Sequence, residues 1–319
     1  MLRYIVRRVL QAIPILIAVS LLVFLMVHAV PGDPLNALVS PDRQSGVNLT
    51  ALRHQYGLDK PLLQQYFFMM KGIFSGSLIS FSERVPVFEM IRQTLPVTAT
   101  IGLAALLISA VVGVILGILA AIRPFGVVDQ SLSVLSVAGL SIPSFVCALI
   151  LVYFFTGRLH LLPGSGFFAS AAQQWSLGSI LPHIVLPVLT LSVGLLPEFY
   201  RFTRSSVLEV MSEDFIRTAR AKGLSQKAVL VDHGLRNGLL PVITMFGLNV
   251  SYVLGGSAVL ETVFGIPGMG WLAVTAAMAR DYPMIITTNL IAASLVILSN
   301  LLTDVLYAVA DPRIKLERK

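Results

Sequence analysis

The sequence predicts an all-α integral membrane protein with six transmembrane helices, both termini cytoplasmic, and one long outer loop. Three observations lead there. Hydrophobic residues make up 56% of the 319 residues and charged ones only 12%, with a mean hydropathy of +0.84, whereas a globular domain carries about 25% charged residues. Six segments, 9–30, 97–122, 132–155, 181–200, 239–260 and 284–308, are long and apolar enough to cross a ~30 Å hydrocarbon core at ~1.5 Å per helical residue. The basic residues are also unevenly shared among the connections, and short cytoplasmic loops carry the excess.

With residues 1–8 inside, three basic residues precede the first span, Arg123 follows the second, seven lie from Arg201 to Arg236, and four lie in the tail 309–319, so that fifteen of the 23 are inside. The two short outer connections hold one each, Arg158 and Arg280. The remaining six fall in the outer loop 31–96, whose length gives it little weight in this rule. The net charge of +7 is read as anchoring to the inner leaflet, not as nucleic-acid binding.

Span 9–30 follows basic residues, as a secretory signal does, and Val27-His28-Ala29 faintly resembles a cleavage site. Its apolar run from Val9 to Val27 is nineteen residues, beyond the roughly 7–15 of a signal core, so it is a retained helix; Pro14 is a candidate kink. In the loop 31–96, residues 60–74 place Leu62, Leu63, Tyr66, Phe67 and Met70 at helical spacing with Gln64 and Gln65 opposite. This predicts an amphipathic helix on the outer membrane surface or against other spans. Span 97–122 holds Gly113 and Gly117, a spacing that permits close helix approach. Span 132–155 contains the single cysteine, Cys147, so no intrachain disulfide forms.

Span 181–200 ends near Glu198, for which a short-range pair with Arg201 is expected. Residues 201–238 form a hydrophilic island between apolar runs, within the core segment 97–308. In its centre, SEDFIRTARAKGLSQKAVLVDHGLRNGLLP (212–241), Ser212 is the expected cap of a first helix, Glu213 and Asp214 suit its positive end, Gly223 closes it, and Ser225 caps a second. The first helix sets Phe215, Ile216 and Ala219 on one side and Arg217, Arg220 and Lys222 elsewhere, a small apolar face edged with positive charge that suits docking into a groove.

Span 239–260 contains Asn249. After it, Phe264-Gly265-Ile266-Pro267-Gly268-Met269-Gly270 is too rich in glycine and proline to continue a helix. It predicts a turn or re-entrant bend at the outer mouth, beside a cavity or packed within protein; gate and structural turn stay equally open, with Gly265, Pro267, Gly268 and Gly270 as candidate gate residues. Span 284–308 carries Asn289, Asn300 and Asp304, the last two on one helix face. Intramembrane polar groups are costly, about 2.5–3.5 kcal/mol for a central aspartate, and an interhelix hydrogen bond near the cytoplasmic end is expected for Asp304. His183 and His233 have no second ligand at metal-binding spacing.

The island resembles the coupling loop of ATP-binding-cassette importer permeases, whose pattern is Glu-Ala-Ala, three residues, Gly. This chain has Arg217-Thr218-Ala219, three residues, Gly223, with arginine in place of the glutamate. That departure resembles the dipeptide and oligopeptide (peptide/nickel) branch, as do His233, Arg236, Asn237 and Pro241. The same branch is resembled by RRVLQAIPILIAVSLLVFLMVHAVPGDP (7–34), ETVFGIPGMG (261–270), RDYP (280–283) and DPRI (311–314). The resemblance implies a bacterial inner-membrane, multi-pass permease subunit that works by alternating access. It implies as partners a homologous second permease, two cytoplasmic ATPase subunits that bind ATP-Mg, and an external binding protein met partly by the outer loop. It also implies that Phe215, Ile216, Arg217, Ala219, Arg220, Lys222 and Gly223 dock the ATPase, and that the solute is a dipeptide, a longer peptide, glutathione or a nickel chelate.

No cofactor of the chain's own and no catalytic residue are expected. The sequence lacks a Walker A loop, a His-Glu-x-x-His zinc signature and a Gly-x-Ser-x-Gly elbow. A membrane aspartyl protease needs two intramembrane aspartates, and only Asp304 lies in a span. An ion-coupled secondary transporter is the main rival, but it would not need the island and would show paired repeats with broken helices. A helix-turn-helix reading of 212–234 lacks a soluble core around it.

Overall fold

The computed structural model describes residues 2–31, 35, 50, 53–54, 56–169 and 175–310. The tail 311–319, with its Asp-Pro-Arg-Ile stretch, and most of the expected outer loop before residue 56 lie outside the described residues. Among the described residues the regular structure is helical. It runs α1 Leu2–Ala29, α2 Leu62–Ser75, α3 Val87–Ile122, α4 Val127–Ser141, α5 Ser144–Leu151 continued by a π-helical stretch Val152–Arg158, α6 Leu177–Ser212, α7 Asp214–Ala221, a short helical run through Gln226–Gly238, α8 Leu240–Leu254, α9 Ala258–Val263, α10 Met269–Met278 and α11 Tyr282–Ala310.

Four helices, α1, α3, α6 and α11, are individually long and apolar enough to cross a membrane, and the count rises to six if each of two bent pairs makes one span. The expected third span, 132–155, is one of these pairs: α4 and α5 meet at 98°, because Pro143 starts α5 and holds Ile142 extended. In the other, Gln226–Gly238 meets α8 at 41°. The expected fifth span, 239–260, stops at Leu254, where Gly255 and Gly256, the latter at φ +83°, turn the chain. α1 runs unbroken through Pro14.

Two other boundaries move. α3 begins at Val87, ten residues before the expected 97, so that the outer loop closes at Pro86. α6 continues past Tyr200 to Ser212, and at ~1.5 Å per residue its 36 residues span ~54 Å, far more than a bilayer core. Its last turns form an arm that bears the island.

The inner core packs α3, α5, α6, α8 and α9 through Ile101, Leu106, Ala148, Leu186, Phe199, Val253 and Leu260. A second cluster joins α1, α2, α10 and α11 around Phe24, Met69, Ile73, Phe81 and Tyr282. Here α2 is helical over Leu62–Ser75, and the face it buries differs from the expected one: Met69 and Ile73 are buried with Tyr66 and Met70 beside them, while Leu62, Leu63 and Phe67 are exposed. The rotation follows from polar anchoring to α1, since Tyr66 meets Ser20 at 2.8 Å and Gln65 meets His28 at 3.0 Å.

Candidate coupling segment and outer turn

The arm of α6 is fixed to the body at two places. On one side, Gly113 and Gly117 of α3 admit the α6 backbone. A Cβ on Gly113 would lie 2.6 Å from Phe199 Cβ, and one on Gly117 2.8 Å from the Tyr200 carbonyl. On the other, Arg204 donates through Nη2 to Asp129 at 2.7 Å and also through Nε. Asp129 is only 2% exposed, and its carboxylate also accepts from the Phe125 amide at 2.8 Å. It lies in the first turn of α4, three residues before the expected third span. Sequence reasoning missed this pair because its members are 75 residues apart. The expected Glu198–Arg201 pair does not form.

At the tip, α7 does not start at Ser212. Ser212 ends α6 and donates to the Glu209 carbonyl at 2.6 Å, and Glu213 takes the cap position of α7 with no side-chain bond. Gly223 closes α7 at φ +80°, with its amide on the Arg220 carbonyl and the Leu224 amide on that of Ala219. These two bonds are the pairing that ends a helix on a left-handed residue. Ser225 then accepts from the Ala228 amide and caps the next helix. Ile216 and Ala219 do not face outward: they are buried against Val229 and Met211, and so fasten α7 to the chain's own return segment. Phe215, Arg217, Arg220, Lys222 and Leu224 remain exposed.

The glycine-rich turn packs within protein. α9 ends at Phe264, Gly265 turns at φ +57°, and the helix resumes at Met269. Phe264, Ile266, Gly268, Met269 and Gly270 are buried, while Gly265 is exposed and Pro267 half-buried. The turn wraps the buried carboxylate of Glu261, which accepts from Thr98 Oγ1 and the Trp271 amide, both at 2.8 Å. Thr98 in turn accepts from the Met269 amide at 2.7 Å. A side chain on Gly268 would collide with Glu261 and Thr98, and one on Gly270 would stand 2.6 Å from the Ala258 amide.

This architecture has matches among known proteins. The model of binding-protein-dependent transport system inner membrane components matches residues 113–316, and a model of the N-terminal part of such membrane components matches 1–102. The chain belongs to this family. The oligopeptide transport system permease protein AppB of Bacillus subtilis (strain 168) is 38% identical over 316 residues, covering 98% of this chain and 99% of AppB. The glutathione transport system permease protein GsiC of Escherichia coli (strain K12) is 38% identical over 316 residues, 99% of each. In fold, the chain matches an inward-facing methionine transporter structure, MetNI, at a TM-score of 0.57 and 17% identity over 71% of this chain and 98% of that one.

In this permease component the Arg-Asp-Tyr-Pro stretch clamps the start of α11 to the chain before α3. Arg280, at φ +53°, donates to the Pro31 carbonyl at 2.7 Å. Asp281 is fully buried, caps α11 through the Met284 amide, and accepts from Ser80, Ser82 and the Ser82 amide. Tyr282 packs on His28 and Phe81. At the opposite end, Asp304 of α11 meets Arg8 of α1 at 2.9 Å, an interhelix contact of the kind expected for it. Asn249 and Asn289 donate back to their own helices, and Asn300 lines the α1–α11 groove. His183 meets the Ser165 carbonyl. No group of three metal-ligating side chains occurs among the described residues.

Proposed function

We propose that this permease component pairs with a homologous second permease and two cytoplasmic ATPase subunits to import peptides or peptide-like solutes that an external binding protein delivers. Peptide cargo is carried over from relatives named for oligopeptide and glutathione transport. In this reading each bent helix pair makes one span, giving six in a bacterial inner membrane with both termini cytoplasmic. ATP-Mg sits on the partner subunits, and its binding closes the ATPase pair. The arm of α6 passes that movement to the spans as a rigid body, alternating access between the two sides.

The observation that carries the proposal is the island itself: a short helix rooted by Ile216 and Ala219 that presents Phe215, Arg217, Arg220 and Lys222 outward. Of the docking residues expected from the sequence, Ile216, Ala219 and Gly223 therefore act as its scaffold, and the other four make the contact. The same logic makes Gly268 and Gly270 scaffold residues of an outer gate, with Gly265 and Pro267 at its surface.

The test is affinity purification from native membranes in mild detergent, with mass spectrometry of the companions and an ATPase assay on the eluate. A second permease, nucleotide-binding subunits and vanadate-sensitive hydrolysis are expected. A lone or self-paired chain without ATPase activity would overturn the proposal in favour of an ion-coupled transporter.

A further inference from the structure

Between α4 and the inner end of α6 lies an open cavity of about 580 Å³, lined among others by Ser133, Val137, Glu198, Arg201, Phe202 and Ser205. Its volume falls in the ~300–1,000 Å³ range of small-molecule sites. Most of its polar groups are already committed. Arg204 is held by Asp129, Ser133 meets the Tyr200 hydroxyl at 3.0 Å, and the Ser205 hydroxyl donates to the Phe202 carbonyl at 3.2 Å.

Two groups are not. Glu198 is half-buried and Arg201 exposed, one helical turn apart, a spacing at which opposite charges commonly pair. Yet neither has an ion pair or side-chain hydrogen bond, with the other or with any described residue. The cavity therefore offers a carboxylate and a guanidinium that are both available, with Phe202 and Val137, each about half exposed, as an apolar wall. A guanidinium matches a carboxylate by a forked pair of N–H donors, and a carboxylate accepts readily from an ammonium.

From this geometry we infer that the cavity is a transit site for short peptides with free ends, Glu198 taking the α-ammonium and Arg201 the α-carboxylate, with side chains lying loosely against Phe202 and Val137. The inference rests on the importer reading and deepens it by naming the substrate class as unblocked short peptides. The site adjoins the Asp129–Arg204 pair at the root of the arm, so an occupied cavity sits where the movement of the coupling segment enters the spans.

The experiment uses the complete complex in nanodiscs without the binding protein, and measures equilibrium binding of radiolabelled dialanine against N-acetyl-dialanine and dialanine amide as competitors. In parallel, the complex with its binding protein in proteoliposomes is assayed for dialanine uptake. A hydrogen bond to a charged group is worth about tenfold or more in affinity, so each blocked peptide should compete about tenfold less well than dialanine. Glu198→Gln should abolish the preference over the N-acetyl form alone, and Arg201→Gln the preference over the amide alone, a crossed pattern that general destabilisation does not produce. Uptake without binding, or unchanged discrimination in both variants, would overturn the site while leaving the importer reading intact. Absence of any dialanine uptake would overturn that reading for such peptides and this inference with it. Co-purification of a phosphatidylethanolamine that both variants lose, with no dialanine binding, would assign the cavity to a lipid headgroup and overturn the peptide site.

Discussion

Replacing Arg204 by methionine keeps much of the side chain's volume but leaves the Asp129 carboxylate without its cation. Asp129 is 2% exposed, so water cannot take over that role. Two weaker partners remain, the Phe125 amide at 2.8 Å and the Tyr200 hydroxyl at 3.3 Å. Removing one member of a buried ion pair costs about 3–5 kcal/mol, and these remaining donors place Arg204→Met near ~3 kcal/mol. At ~2–4 °C per kcal/mol for a large domain, the melting midpoint of the purified complex should fall by ~6–12 °C at pH 7.5.

Adding Asp129→Asn should recover part of the loss, because the orphaned charge is then gone. A midpoint shift under ~2 °C, or no recovery in the double variant, would refute the strut as described.

Gly223 and the α3 glycines test the same arm at its tip and root. A Cβ on Gly223 would meet nothing within 4 Å, so substitutions there are strained only by φ +80°. Asparagine, which tolerates that region, should keep nearly full uptake, whereas valine, at ~1–2 kcal/mol or more of strain, should lower uptake per ATP hydrolysed at equal expression; equal coupling ratios in the two would exclude the turn as a mechanical element. At Gly117, valine would drive methyl groups into the Tyr200 carbonyl and Thr203, an overpacking of ~1–3 kcal/mol or more. The monodisperse fraction on size exclusion should fall well below that of the same substitution at Gly178, which faces open space.

What could be read from sequence was local. Four of the apolar segments, the left-handed closure at Gly223, the cap at Ser225, and the close approach at Gly113 and Gly117 follow from residue type and spacing, and the described structure carries each of them. The rest depended on partners distant in the chain. Nothing near Asp129 in sequence points to Arg204, and nothing near Asp281 points to Ser80 and Ser82. Ile216 and Ala219 looked like a docking face because an amphipathic helix states which side is apolar but not what covers it, and Val229 and Met211 cover it. Pro143 was visible, but the right angle it helps make needs the packing on both sides. The run of polar residues after Tyr200 reads as a loop, although a helix anchored by glycine contacts and a buried ion pair can continue straight into water.

These contacts also define how far a displacement at the island can travel as one body. α7 is rooted on Val229 and Met211, and Met211 belongs to α6. α6 reaches α3 through glycines that leave no room for a side chain, since a Cβ added at Gly113 would lie 3.0 Å from the Leu196 carbonyl oxygen and one at Gly117 2.8 Å from that of Tyr200. α3 carries Thr98, whose hydroxyl joins Glu261 to the Met269 amide in the glycine-rich turn at the far end. Close-packed joints shift between discrete arrangements rather than stretching. An arm moved by a partner must therefore either carry α3 and the Thr98–Glu261 joint with it or break the glycine seam.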